Sequence, residues 1–279
     1  MSEPESARLA SLTDLVLQSR KYRRVAPELV RDVAARELAK PVSLQAAVKA
    51  TKNKLHQVAA SYLVGEPTYA AWLRDVRDAW STADPAVIRD VHWRIMRHHV
   101  STRERLPILE SFYRTILGPL TPVHSIIDVA CGLNPLSIPW MPLERNAKYY
   151  AYDIYTDMME FLQDSLGAMS IQGEAIARDV TRGCGMPQVD VALILKAVPC
   201  LDQIEESAAS RLLESINARY LVVSFPVSSL GGRQKGMLAH YETRFQSLVA
   251  NTDWKIARFE FPSELVFVID KGRAQHIPC

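Results

Sequence analysis

The chain holds four cysteines, eleven glycines and no long apolar run, and each shortage removes a class of protein. Cys131, Cys184, Cys200 and Cys279 are scattered, with no Cys-x-x-Cys pair and no histidine nearby at zinc spacing. Neither a disulfide framework nor a metal site is expected. No stretch approaches the roughly 18 apolar residues that cross a bilayer, and the charged amino-terminal region lacks the apolar core of a signal peptide. A cytoplasmic protein that does not enter membranes is expected. Internal repeats and low-complexity tracts are missing too, as is any obvious Ser/His/Asp or paired-carboxylate arrangement. What is present is the balance of a soluble globular protein, 48% hydrophobic and 23% charged. A length of 279 residues suits a main domain with a smaller companion.

Net charge is only +2, but it is unevenly spread: residues 1–100 carry 16 Lys/Arg against 11 Asp/Glu, and the remainder 17 against 20. Between Arg20 and Lys54 there are ten basic and three acidic residues. A local excess of this kind attracts polyanions, because each neutralised phosphate releases condensed counterions. A solvated helical face is the plainer explanation of the same charges.

Up to about residue 118 apolar residues recur at helical spacing, in "PELVRDVAARELA", "SLQAAVKATKNKLHQVAASYL", "TYAAWLRDVRDAW", "DPAVIRDVHWRIMRHHV" and "TRERLPILESFYRTIL". Pro27, Ser43, Asp84-Pro85 and Ser101 supply helix starts. Beyond residue 120 short β-branched and aromatic runs alternate with helical stretches: "SIIDVA", "KYYAYD", "EAIARDV", "DVALILK", "RYLVVSF", "KIARFEF" and "ELVFVID". Seven strands with intervening helices predict a mostly parallel α/β sheet covered on both faces, and the last two runs predict an antiparallel terminal hairpin.

The turn after the first strand, "DVACGLNP", occupies the place where such a sheet binds ligands. It has Gly132 alone where a dinucleotide fingerprint has three glycines, and Pro135 disrupts the usual phosphate-binding helix start. A nucleoside without a phosphate fits better: S-adenosylmethionine needs one close backbone approach and no phosphate nest. "KYYAYD" ends at Asp153, 21 residues after Gly132, where a carboxylate accepts from ribose hydroxyls. "ARDV" carries Asp179, placed to accept from the adenine amine. Either aspartate could equally cap a helix or turn. Lys196 ends the fourth strand beside the cleft or at the surface, and Arg233 and Lys235 lie on a long loop after the fifth.

In combination, "STRERLP", "ACGLNPLSIPWM", "LILKAVPCL", "FPVSSLGGRQKGM", "ELVFVID" and the basic "VAPELVR" resemble the 16S ribosomal RNA guanine-N7 methyltransferases of aminoglycoside producers and resistant pathogens, whose target is guanine 1405 of the decoding site. The resemblance spans nearly the whole chain. It implies a Rossmann-like class I methyltransferase domain over residues 119–279, preceded by a helical domain, residues 1–118, that docks on the assembled 30S subunit. It further implies that Arg105 pairs with the methionine carboxylate and that His99, Val100 and Ser101 line the same pocket. Ala130 and Gly132 would face the cofactor, Asp153 its ribose, Asp179 and Val180 its adenine, and Leu195 and Lys196 its methionine side, with Tyr62 reaching in from the helical domain. Without the resemblance, Arg105 is a helix-surface arginine paired with Glu104 or Glu110, while Tyr62 and His99 are packing residues.

Guanine N7 has a free lone pair at neutral pH, so its methylation needs no general base; Lys196 is the one residue assigned a chemical role. Proximity and orientation would supply the rate. A flipped base needs apolar support, for which Phe225 and Met237 are candidates. Arg20, Lys21, Arg23, Arg24, Lys49, Lys52 and Lys54, with Arg233 and Lys235, would contact phosphates. A monomer without metal is expected. The competing readings are a methyltransferase of another rRNA base such as adenine N1, a non-catalytic RNA-binding protein, and a nicotinamide oxidoreductase, which the single-glycine turn disfavours.

Overall fold

The computed structural model describes residues 3–57, 62–182, 185–227 and 236–272. Alternation in the apolar runs becomes a sheet with two dry faces. The strands are β1 (Ser125–Val129), β2 (Lys148–Asp153), β3 (Gln172–Ala177), β4 (Val189–Leu195), β5 (Ala218–Pro226), β6 (Lys255–Glu260) and β7 (Glu264–Asp270). Among the described residues they form one seven-stranded sheet in the order β3-β2-β1-β4-β5-β7-β6. β3 through β5 run parallel, β7 is antiparallel to β5, and β6 pairs antiparallel with β7, giving the expected terminal hairpin. On β4, Val191, Leu193 and Leu195 enter one core, while Ala192 and Ile194 enter the other. This is the two-residue period of a strand buried on both sides.

The second core is closed by α9 (Val198–Ile204), α10 (Ala208–Ser215) and α11 (Met237–Val249). The first is closed by α8 (Thr156–Ala168) and by helices that precede the sheet, α1 (Glu3–Leu17), α2 (Pro27–Leu38), α3 (Leu44–Leu55), α4 (Tyr69–Ser81), α5 (Pro85–Met96) and α7 (Leu109–Leu117), while the short α6 (Val100–Arg105) connects the last two. Leu12 of α1, Val76 of α4, Phe112 of α7, Leu162 of α8 and Leu193 of β4 belong to one continuous apolar cluster, each with no exposure. Burying a side chain of this size stabilises the fold by about 1.5–3 kcal/mol.

Local chemistry sets the helix ends. Ser43 Oγ accepts from the Ala46 N–H at 3.2 Å and Asp84 Oδ1 from the Ala86 N–H at 2.8 Å, each satisfying a donor left free by the first turn. Three expectations need correction. α1 was not anticipated, although Leu9, Leu12 and Val16 bury one stripe of it. The helix expected from Ser43 to Leu63 has its α-helical part end at Leu55, and Leu63 instead pairs in a short antiparallel bridge with His99. The single helix expected over "TRERLPILESFYRTIL" is two, because Pro107 has no N–H to continue the ladder and a 3-10 turn, Leu106–Ile108, takes its place.

His92 secures the segment after β1. It is fully buried on α5, accepts from Trp80 Nε1 at 3.0 Å through Nε2, and donates through Nδ1 to the Leu136 carbonyl at 2.6 Å. Burial pushes its pKa down to about 4, partly opposed by the bond to Leu136. The folded chain therefore keeps this ring neutral while the unfolded chain protonates it below about pH 6.5. Its contribution to stability is complete above that pH and is lost as pH falls towards 4. Accordingly, His92→Gln should destabilise strongly at pH 7.5 and markedly less at pH 4.5 in urea titrations; a pH-independent difference would contradict the neutral buried ring.

A shared core also predicts cooperative unfolding. Trp72, Trp80 and Trp93 lie in the helical region and Trp140 and Trp254 beyond it, so tryptophan fluorescence and far-ultraviolet circular dichroism should give coincident thermal transitions. Two separated transitions would show that residues 1–118 fold independently of the sheet.

Candidate functional site

β1 lies between β2 and β4, so successive connections leave it in opposite directions and a crevice opens at the carboxyl ends of these strands. There the structure has a partly open cavity. Ala130 follows β1, Asp153 ends β2, Asp179 and Val180 follow β3, and Leu195 and Lys196 end β4; all six line the cavity. Tyr62, His99 and Ser101 line it from the helical region, and Leu29 of α2 and Ile204 of α9 also contribute.

Backbone strain marks this crevice. Ala130 has φ of 52° and Lys196 φ of 59°, both in the left-handed region that side chains other than glycine rarely adopt. Such strain costs on the order of 1–3 kcal/mol per residue and gathers at functional sites. At Lys196 the surroundings impose the bend: its N–H donates to the Ser224 carbonyl at 3.0 Å on β5.

The two aspartates differ in what they have left to offer. Asp153 Oδ2 accepts from the Gly132 N–H at 2.8 Å and Oδ1 from the Ile154 N–H at 2.7 Å. Burial raises its pKa, opposed by backbone donors including these two. Asp179 Oδ1 accepts from the Thr181 N–H at 2.9 Å and hydroxyl at 2.6 Å, whereas its buried Oδ2 has no partner among the described residues. A buried carboxylate oxygen without a donor costs free energy that a ligand N–H or O–H would recover. Thr181, unassigned in the sequence, orients this carboxylate.

Gly132 has φ of 52°, and a Cβ there would come within 2.5 Å of the His99 ring. The close approach that Gly132 permits is therefore that of His99, and Gly132 does not line the cavity. His99 is buried and stacks on Tyr62 at 6.0 Å between ring centroids. Its pKa is pushed down to about 4 by burial, then by Arg105 and Lys196, so the imidazole is neutral and only weakly basic. Its Nδ1 is buried without a partner among the described residues. Val100 also lies off the cavity; its N–H donates to the Tyr62 carbonyl at 2.8 Å and thereby holds Tyr62 in place.

Arg105 differs from both sequence readings. It is 1% exposed, does not line the cavity and pairs with neither Glu104 nor Glu110. Its Nε lies 2.7 Å from Glu264 Oε1, Nη2 donates to Glu264 Oε2 at 3.0 Å, and Nη1 donates to Asn134 Oδ1 at 2.9 Å. Glu264, wholly buried at the start of β7, also accepts from Ser224 Oγ at 2.7 Å and lies 3.5 Å from Lys196 Nζ. Lys196 Nζ donates to Glu104 at 2.6 Å. Two cations and two carboxylates thus form one cluster, with Lys196 on the cavity wall and the other three behind it. Asn134 extends it, donating to Asp128 at 2.9 Å and accepting from the Tyr113 hydroxyl at 2.6 Å. Burial raises the Asp128 pKa to about 6.

Phe225 is corrected as a support for a flipped base: it has no exposure and stacks on Tyr241 at 5.0 Å inside the second core. Met237 begins α11 and is half-buried. Of the basic residues, Arg20, Lys21, Arg23, Arg24 and Lys49 are exposed, while Lys52 and Lys54 are half-buried. Tyr22 donates to the Lys52 carbonyl at 2.8 Å, which draws the turn after α1 onto α3. Arg20 pairs with Glu66, Arg24 lies 4.0 Å from Asp157, and Lys54 Nζ donates to the Gln203 carbonyl at 2.9 Å. Arg233 and Lys235 lie outside the described residues. No group of metal-ligating side chains occurs among the described residues, and no described helix is long and apolar enough to cross a membrane.

The family model described as ribosomal RNA methyltransferase (FmrO) matches residues 18–268. A 16S rRNA (guanine(1405)-N(7))-methyltransferase of Micromonospora rosea is 35% identical over 95% of this chain and 97% of that protein. One of Frankia casuarinae is 37% identical over 92% of this chain and 91% of that protein. The solved structure of 16S rRNA methyltransferase RmtF in complex with S-adenosyl-L-homocysteine superposes with a TM-score of 0.79 at 28% identity, covering 98% of this chain and 100% of that one.

Removing one charge from a buried cluster exposes the others. Glu264→Gln keeps the shape but leaves Arg105 and Lys196 undercompensated, and should lower the unfolding free energy by about 3–5 kcal/mol, whereas Ser224→Ala should cost only about 1 kcal/mol. Equal losses in urea denaturation would show that the charge of Glu264 is not what holds the cluster.

Proposed function

Because the chain belongs to the ribosomal RNA methyltransferase (FmrO) family, we propose that it transfers a methyl group from S-adenosylmethionine to N7 of guanine 1405 in 16S rRNA. The observation that carries the cofactor's placement is Asp179 Oδ2, which has no partner among the described residues and lies with Asp153 on the wall of a pocket at the switch point of the sheet. Asp179 and Val180 then hold the adenine, and Asp153 the ribose with lone pairs not taken by Gly132 and Ile154. Tyr62, His99, Ser101, Ala130, Leu195 and Lys196 surround the methionine end. Arg105, with Val100 and Gly132, acts from behind: it sets Glu264 and the strand ends, and reaches a carboxylate only by giving up a present partner.

The cofactor supplies an electrophilic methyl group, which a ring nitrogen with a free lone pair accepts without losing a proton first. The side chains match this demand. His99 is too weak a base at about 4, burial raises the Cys200 thiol to about 11, and Lys196 is bound to Glu104. What they do is orient, exclude water and keep their charges compensated, so proximity and preorganisation supply the rate. Lys196 lines the pocket as a positioning group.

Residues 1–118 are the docking region for the 30S subunit, through Arg20, Lys21, Arg23, Arg24, Lys49, Lys52 and Lys54, joined by Arg233, Lys235 and Met237 at the base. The enzyme works as a cytoplasmic monomer and protects the decoding site against aminoglycosides. With purified enzyme, 30S subunits and S-adenosylmethionine, reduction and aniline cleavage should place a primer-extension stop at guanine 1405; a modification confined to another base such as an adenine N1 would overturn the assignment. Asp179→Ala should weaken S-adenosylmethionine binding about ten-fold or more in calorimetry, and unchanged affinity would remove Asp179 from the site.

A further inference from the structure

We propose that a groove on the outer side of α5 and α7, remote in sequence from the basic turn and α3, is a second RNA-binding surface that stacks unpaired bases. Trp93, 40% exposed on α5, and Trp140, at the end of the segment that follows β1, line the same groove, together with Pro107, Glu110 and Arg114. Each indole carries a guanidinium: Arg97 lies 5.2 Å over the Trp93 ring and Arg89 lies 5.7 Å over the Trp140 ring. Arg89, Trp93 and Arg97 recur at four-residue intervals and so share one face of α5. Arg89 is further fixed by donating to the Pro139 carbonyl at 3.2 Å.

The occupant follows from this chemistry. The neighbouring pair Arg94 and Asp90, 3.1 Å apart, is self-compensated. Arg114 and Glu110 line the groove, and Arg89 and Arg97, held over its two indoles, add positive charge at its rim. A positive groove with aromatic floors is complementary to a polyanion whose monomers are flat rings: every base has a face to stack, and each phosphate meets a guanidinium. An apolar peptide would leave the arginines without partners. The surface rests on the reading of the chain as an rRNA methyltransferase and adds to it a contact that the amino-terminal cations do not provide.

The test uses the full chain with Trp93→Ala/Trp140→Ala and, separately, the exposed pair Arg97→Glu/Arg114→Glu, whose folding is checked by S-adenosylmethionine affinity. Binding is measured to 30S subunits and to deproteinised 16S rRNA across a salt series. Each lost indole should weaken binding to both about ten-fold, and the charge reversals should weaken it and flatten the salt dependence, with cofactor affinity unchanged. Wild-type binding by the arginine pair overturns the surface. So does a defect on 30S subunits that is missing on naked rRNA, which would assign the groove to a ribosomal protein. If wild-type enzyme fails to take up cofactor or to methylate rRNA, the functional reading has failed; if it does both and the variants bind normally, only the groove has.

Discussion

A carboxylate with no contact to water, Glu264, is the constraint around which the site is arranged. An ionised group in that position is tolerable only when partners surround it, because desolvation costs several kcal/mol per ion. Arg105 arrives from α6, Lys196 from the end of β4 and Ser224 from β5, so satisfying one buried charge fixes three elements at once. The helical region is thereby fastened to the sheet by electrostatics at the point where His99 and Tyr62 reach the cavity. Apolar packing alone would allow α6 to slide; directed bonds to one carboxylate set its register.

The same cluster explains why the cavity keeps its shape. Lys196 and Ala130 hold left-handed backbones that would relax in an isolated peptide. Lys196 is held by its N–H to β5 and by its ammonium to Glu104 and Glu264; Ala130 is followed by Cys131, whose N–H donates to the Tyr152 carbonyl, and by Gly132, whose N–H donates to Asp153. His99 fills the space that the missing Cβ of Gly132 leaves. Each strained residue therefore sits between two bonded ones, and the crevice is preformed.

The strands were readable because burial on both faces demands long β-branched runs, and the crevice at their carboxyl ends because Asp153 closes the second of those runs beside the turn that follows the first. Of the nine candidates that line the cavity, six lie at strand ends, His99 and Ser101 at the start of α6, and Tyr62 ahead of it in the chain. Glu264 was illegible for a physical reason: a glutamate opening "ELVFVID" has the pattern of a solvated strand terminus, and only the antiparallel pairing of β7 beside β5 turns it inward. Arg105 was misjudged with it, since an arginine between Glu104 and Glu110 has local partners in sequence while its real partner is far along the chain. Phe225 continued a strand's apolar alternation, and that alternation, not its nearness to a loop, decided its burial. Thr181 carried a usable signal, the Asp-x-Thr turn that lets a hydroxyl and an N–H hold one carboxylate oxygen.

Charge balance unites these features with the chemistry. Methyl transfer from a sulfonium to a neutral ring nitrogen begins and ends with one positive charge, carried first by the donor and finally by the base. A site that presented bare cations would oppose both ends of that reaction: two unit charges 4 Å apart repel by about 4 kcal/mol at an effective dielectric of 20. The chain has Arg105 behind the cavity wall and Lys196 and His99 on it, and it neutralises all three. Arg105 and Lys196 are matched by Glu264 and Glu104, and burial keeps His99 unprotonated. Asp153 and Asp179 remain on the cavity wall with no cation assigned to them among their hydrogen bonds. The local field is thus weighted towards negative where a cation must lie. Protonating His99 would cancel half of that weighting without moving an atom, which is why a histidine beside Arg105 and Lys196 is better held neutral.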